Sequence, residues 1–128
     1  MNKEETNTNY NIHEDGQYGE IRIADEVVAI IAGLAAMEVE GVAAMAGNAT
    51  RDLISKLGMK NLSKGVKVEI SDEGVLVDLS MNMAYGYSIP DVCRQVQEKV
   101  NTAIENMTGL KVTEVNIHIA GVQLENQK

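Results

Sequence analysis

The most apolar stretch of the chain begins at Val27 and reaches Met37 without a single charged residue. Bulky side chains recur there at the spacing of one helix face, which predicts a helix from about Asp25 to about Val39. The bulky face comprises Val27, Ile30, Ile31, Leu34 and Met37. A helix this apolar must bury more than one side, and we expect the bulky face to pack on a sheet.

The opposite face of this helix carries only small residues: Ala29, Ala32, Gly33 and Ala36. One interpretation is that alanine, the best helix former, simply occupies an exposed side. The other is that small residues admit a second copy or a partner at close range, which makes this face a candidate self-association surface. This second interpretation predicts that arginine at Ala29 and Ala36 would abolish assembly and leave the fold intact.

Strands are indicated where apolar and polar residues alternate. Val66–Ser71 and Val75–Met83 alternate strictly, as strands with one buried and one solvated face do, and a turn at Asp72–Gly74 joins them. Shorter strands are predicted at Glu20–Ile23, Val42–Met45 and Thr113–Ala120. In the last strand Leu110 and Val112 are out of phase with Val115, which predicts a bulge near Thr113–Glu114.

A second helix is predicted to begin with Ser88 as its cap, Pro90 in the first turn and Asp91 reaching back, and to end at Gly109. It presents one narrow apolar stripe: Ile89, Val92, Cys93, Val96, Val100, Ala103, Ile104 and Met107.

The element order β-α-β-β-β-α-β favours an α+β fold. We expect a two-layer sandwich with a mixed, mostly antiparallel sheet of about five strands and the two main helices on one face. Residues 1–17 are rich in Asn, Thr and Glu and predict a disordered tail. A single domain over residues 18–122 and a short C-terminal tail, residues 123–128, complete the chain.

Charge and composition exclude several classes of function. The 19 acidic against 11 basic residues give a net charge of -8, which argues against general nucleic-acid binding. The single cysteine excludes an internal disulfide framework and fits a reducing compartment. No secretory signal and no run of about 20 apolar residues is present, so we expect a cytoplasmic protein without a membrane span.

No catalytic or cofactor motif is visible. His13, His118 and Cys93 share no metal-ligand spacing, so no metal site is predicted. His118 fits a solvated strand position and Cys93 a small core residue. The turn before the second helix could attract an anion, but it lacks the glycine spacing and the lysine of a phosphate loop. We therefore predict a protein that is not an enzyme and holds no cofactor.

Basic residues are concentrated in one short segment: Arg51, Lys56, Lys60, Lys64 and Lys67. As a functional patch, this segment would contact anionic lipid or an acidic partner surface. As an ordinary surface segment, it would simply be a solvated loop.

Several segments together resemble one family: IRIADEVVAIIAGLAAMEVEGV, KGVKVEI, YGYSIPDVCRQVQEKV and AIENMTGLKVTEVNIHIAGV. In this order and spacing, over about residues 18–122, the chain resembles the alkaline shock protein family of Gram-positive envelope-stress proteins. The resemblance implies a non-enzymatic cytoplasmic protein that self-associates, is held near the membrane by a membrane-anchored relative and serves envelope homeostasis under alkaline or cell-wall stress. It supplies no catalytic residue.

Three functional hypotheses follow, of which the third, a small hydrolase or transferase, would need a deep polar pocket with clustered titratable groups. The first is an envelope-stress protein that acts as a homo-oligomer and docks to a membrane-anchored relative. The alternative is a peripheral binder of anionic lipid or nucleic acid through the basic segment 51–67, which predicts strongly salt-dependent binding.

Overall fold

The computed structural model describes residues 9–10, 19–45 and 63–124. The elements in chain order are β1 (Asn9–Tyr10), β2 (Ile21–Arg22), α1 (Asp25–Met37), β3 (Val42–Met45), β4 (Val66–Ser71), β5 (Gly74–Ala84), α2 (Ile89–Thr108) and β6 (Val112–Gln123). Strand β1 lies in the predicted N-terminal tail. The rest of that tail and residues 125–128 lie outside the described residues.

Four of these strands form the main sheet, with β5 at its centre. Along one side, β5 pairs with β6 in parallel from end to end. Along the other side, antiparallel β4 pairs with the first half of β5 and antiparallel β3 with its end. Strands β1 and β2 pair with each other in a second, two-stranded sheet. The mixed, mostly antiparallel α+β fold predicted from the pattern is thus confirmed.

Both helices cover the same face of the main sheet. Alternate residues of β5 are buried, and they join the buried residues of α1 and α2 in one core: Val75, Val77, Leu79, Met81 and Met83. Helix α1 lies over β3 and β4, and α2 lies over β6. The other face of β5 carries Asp78, Ser80 and Asn82, so it is the polar face.

The orientation expected for α1 is wrong in part. Its small residues point into the core, where Ala32 and Ala36 are completely buried, whereas Val27 on the bulky face is 47% exposed. Ile31 and Met37 of the bulky face are buried in the core as expected, whereas Ile30 and Leu34 are only half-buried. Small side chains allow the axis of α1 to approach α2 and the sheet closely, and this close packing adds to the contact that Ile31 and Met37 make.

Strand β6 contains the predicted bulge. Val112 faces Val75 and Glu114 faces Leu76, so Thr113 is the extra residue. The Thr113 hydroxyl donates to the Val75 carbonyl at 3.0 Å. A second irregularity, which the pattern did not predict, lies between Ile119 and Gly121.

Helix α2 begins and ends as predicted, with one difference. The Ser88 side chain accepts a hydrogen bond from the Asp91 amide at 3.4 Å, and Gly109 closes the helix in the left-handed conformation. The Asp91 carboxylate, expected to reach back, instead accepts from Arg94 at 3.1 Å. Among the helices that the structure describes, none is long and apolar enough to cross a membrane.

Replacing Ser88 with alanine should lower the free energy of unfolding by about 1 kcal/mol, because the Asp91 amide loses its acceptor. Urea unfolding followed by circular dichroism measures the change. Ser88→Thr retains an acceptor oxygen and should cost less than Ser88→Ala. Equal losses in the two variants would show that the cap contributes nothing.

Candidate interaction surfaces

Exposed apolar side chains gather at one end of the sheet. Of the eight large apolar residues exposed in the described chain, five lie where β5 and β6 end and α2 begins: Tyr85, Tyr87, Ile89, Val122 and Leu124. Because β5 and β6 are parallel, their last residues meet, and the Tyr85 amide donates to the Gln123 carbonyl at 2.7 Å. We call these five residues the apolar end.

The loop that carries the two tyrosines is fixed to the rest of the fold. The Tyr87 hydroxyl donates to Glu40 Oε2 at 3.2 Å, and the Ala84 amide donates to the Gly41 carbonyl at 2.8 Å. Tyr85 is nevertheless 65% exposed. Tyrosine offers a large apolar surface with few rotatable bonds, which is why it is enriched at protein interfaces.

The predicted self-association face on α1 is not available on the surface. Ala29, Ala32, Gly33 and Ala36 are all buried in the core of the same chain. More than one side of α1 is buried within its own domain. The structure therefore gives no support for contact with another chain through these four residues.

The basic segment is described only in part. Arg51, Lys56 and Lys60 lie outside the described residues, whereas Lys64 and Lys67 are exposed. Lys67 faces Asp78 across β4 and β5, and Asp78 also accepts a hydrogen bond from the Asn116 side chain at 3.0 Å. Of the two described lysines of this segment, Lys67 therefore has a carboxylate directly opposite it on the neighbouring strand.

The candidate reactive groups remain separate. Burial raises the pKa of the half-buried Cys93 thiol, which keeps it protonated and weakly nucleophilic. Burial likewise raises the pKa of Asp25 at the start of α1. His118 is exposed on the polar face of the sheet. Within residues 9–10, 19–45 and 63–124, no three His, Cys, Asp or Glu side chains converge in a way that could hold a metal ion.

Two depressions on the described surface are open and lined mostly by polar residues. One of about 380 Å³ lies between the end of α1 and the middle of α2, where the Lys99 ammonium is 3.5 Å from the Glu38 carboxylate. Glu40 and Glu98 also line it. A second, of about 390 Å³, lies between α2 and β6 and is lined by Gln97, Asn101 and the first residues of β6.

Sequence reasoning missed the apolar end. The sequence pattern places Tyr85 and Tyr87 in the turn before the second helix and Ile89 in the apolar stripe of that helix, and neither position predicts exposure at one end of the sheet. The available signal was that two of only four tyrosines, in a chain without Phe or Trp, flank a glycine between a strand and a helix.

Comparison with known proteins gives consistent matches. The model of the alkaline shock protein family, described as having a cell envelope-related function, matches residues 13–124. The chain is 44% identical over 115 residues to YqhY of Bacillus subtilis, which covers 90% of the chain and 85% of that protein. It is 37% identical over 112 residues to YloU of the same species, which covers 86% of the chain and 93% of that protein.

A third relative carries a functional name. The stress response regulator gls24 homolog of Streptococcus pyogenes serotype M3 is 29% identical over 110 residues, which is 85% of the chain and 62% of that protein. No solved structure matches the chain.

Proposed function

We propose, from the fact that this chain belongs to the alkaline shock protein family, that it acts at the cell envelope as a non-enzymatic assembly and docking protein. The family description supplies the envelope setting, and the name of the Streptococcus pyogenes relative supplies the stress response. The resemblance to alkaline shock proteins noted in the sequence is thereby confirmed. Self-assembly and a membrane-anchored relative as partner are the proposed means of action.

The apolar end is the observation that carries the docking proposal. It gathers five exposed apolar side chains on a protein whose net charge is -8. A contiguous exposed apolar patch costs solvation free energy in the free protein and regains it when a partner covers it. The proposed contact with the membrane-anchored relative is therefore apolar at its centre, with Glu40 beside Tyr87 at its rim.

The double variant Tyr85→Ser and Leu124→Ser tests this proposal. Both residues are more than half exposed, so the fold should be retained. As a matched control, Met107→Ser removes a 71% exposed apolar side chain at the opposite end of α2. The tagged proteins are used as bait for detergent-solubilised membranes of the Gram-positive host, and captured family members with a spanning helix are quantified by mass spectrometry.

The wild type and Met107→Ser should capture such a relative, and the double variant should capture about 30-fold less. That factor corresponds to losing one interface hot spot of about 2 kcal/mol. Equal capture by the double variant would remove the apolar end as the docking surface. If the wild type captures no anchored family member, the docking proposal itself is wrong.

A further inference from the structure

Strand β6 is an edge strand along all of its 12 residues, because within the described chain it pairs only with β5. Two side chains of α2 reach its outer edge. Glu105 Oε2 accepts from the Val112 amide at 3.2 Å, and Gln97 Nε2 donates to the Val115 carbonyl at 3.0 Å. These two bonds identify Val112 and Val115 as residues whose backbone groups point away from β5, and they protect the first half of the edge.

The second half of this edge is open. Backbone groups alternate in direction along a strand, so Ile117 and Ile119 point outward as Val115 does. The extra residue between Ile119 and Gly121 reverses this alternation once, so Gln123 should point inward. It does, because its carbonyl accepts from the Tyr85 amide at 2.7 Å. In the described structure the outward amides and carbonyls of Ile117 and Ile119 have no hydrogen-bond partner.

Strand β6 has two bulges, at Thr113 and between Ile119 and Gly121, which confine regular pairing to the stretch between them, but it has little of the charge and proline protection of a natural edge. Natural proteins discourage edge pairing with lysine, proline or inward-pointing charges. Strand β6 contains one formally charged residue, Glu114, and neither lysine nor proline, in a chain with 30 acidic and basic residues. Ile117 and Ile119 are only half-buried, and the exposed Val122 and Leu124, which belong to the apolar end, follow them along the chain.

We propose that the open half of β6 pairs antiparallel with the same half of β6 in a second copy of this chain. The inference rests on the proposed function and deepens it, since it names the surface through which two copies first assemble. In an antiparallel pair, outward-pointing residues must face each other. In one register Ile117 of each copy pairs with Ile119 of the other, so that all four unpaired backbone positions find partners. The two-fold axis of this dimer passes between the two His118 residues.

A second copy fits this edge because the pattern of open groups is self-complementary under a two-fold axis, as a closed dimer interface requires. The paired region places no lysine, arginine or carboxylate opposite a like charge, because Glu114 lies outside its centre. Since each copy carries a net charge of -8, added salt should strengthen the dimer by screening the repulsion between the copies. An interface built on ion pairs would respond in the opposite direction.

A cysteine at the proposed axis tests the register directly. In a Cys93→Ser background, His118→Cys should give a disulfide-linked dimer on mild oxidation, because directly opposed residues in such a pair are about 4.5 Å apart at Cα, within the range for a disulfide. The matched control is Lys67→Cys, exposed on the same face but two strands away. In the proposed dimer its two copies are about 24 Å apart, five strand spacings.

A non-covalent measurement tests the backbone bonds. Ile119→Pro removes an outward amide that β5 does not use, whereas Ile119→Val keeps it. Sedimentation of the wild type and of Ile119→Val should show a concentration-dependent dimer, and Ile119→Pro should weaken it at least about 10-fold. Circular dichroism verifies folding, and if the proline variant is unfolded, the cross-linking comparison decides.

The outcomes separate this inference from the proposed function. A wild type that assembles, with no faster cross-linking at position 118 than at position 67, overturns the β6 pairing and leaves assembly in place. A wild type that stays monomeric at every concentration overturns both. If the Ile117 and Ile119 amides are protected from hydrogen exchange equally at all dilutions, a segment of the same chain covers the edge and the inference is wrong.

Discussion

Replacing Ala36 with arginine should leave the protein unfolded, or lower its free energy of unfolding by more than about 4 kcal/mol. Ala36 has no exposed surface and lies within the core that α1 shares with the sheet. The described core contains no buried polar or charged residue that could pair with a guanidinium. The substitution therefore overpacks the core and buries an uncompensated charge at the same time.

The matched control is Val27→Arg in the same helix. Val27 is 47% exposed, so its arginine can extend into water and should change stability by less than about 1 kcal/mol. Urea unfolding monitored by circular dichroism compares the two variants. This outcome reverses the expectation from the sequence that arginine on the small face would abolish assembly alone. A folded Ala36→Arg protein that has lost only its assembly would restore that expectation and contradict the packing of α1.

The side of α1 that lies deepest could not be predicted, because this helix is apolar on almost every side. Periodicity separates a buried from a solvated face only when one face is polar, as it is in α2. In α1 both faces are candidates, and the choice depends on how closely the helix approaches its neighbours. Ala32 and Ala36 permit that close approach, which is a property of the assembled core rather than of the local pattern.

Strand positions were predictable, whereas strand pairing was not. Alternation indicates that a segment is a strand with one buried face, and a slip in phase indicates a bulge, as at Thr113. Neither signal shows that β6 runs parallel to β5 or that β2 pairs with β1 instead of joining the main sheet. Both candidate surfaces depend on this pairing, because it brings Tyr85 beside Gln123 and leaves the outer edge of β6 open.

Replacing Gly74 with alanine should lower the free energy of unfolding by about 3 kcal/mol or more, from backbone strain and a steric clash together. Gly74 has φ +138°, a conformation that residues with a Cβ atom rarely adopt. An added Cβ atom would lie 2.5 Å from the Lys111 carbonyl oxygen and 2.8 Å from Thr113 Cγ2. That oxygen cannot retreat freely, because it accepts the Val75 amide at 2.8 Å in the first bond between β5 and the chain entering β6.

Gly86→Ala separates the strain from the clash. Gly86 also has a positive φ, +100°, but nothing lies within 4 Å of the position that its Cβ atom would take. Its alanine variant should therefore lose only the conformational term, about 1–2 kcal/mol. Urea unfolding measures the loss of stability in each variant. The loss should be smaller for Gly86→Ala, because only Gly74→Ala must also separate the start of β5 from the chain entering β6. Equal losses at the two positions would mean that β5 and β6 can separate there at no cost, contrary to the close contact between Gly74 and Lys111.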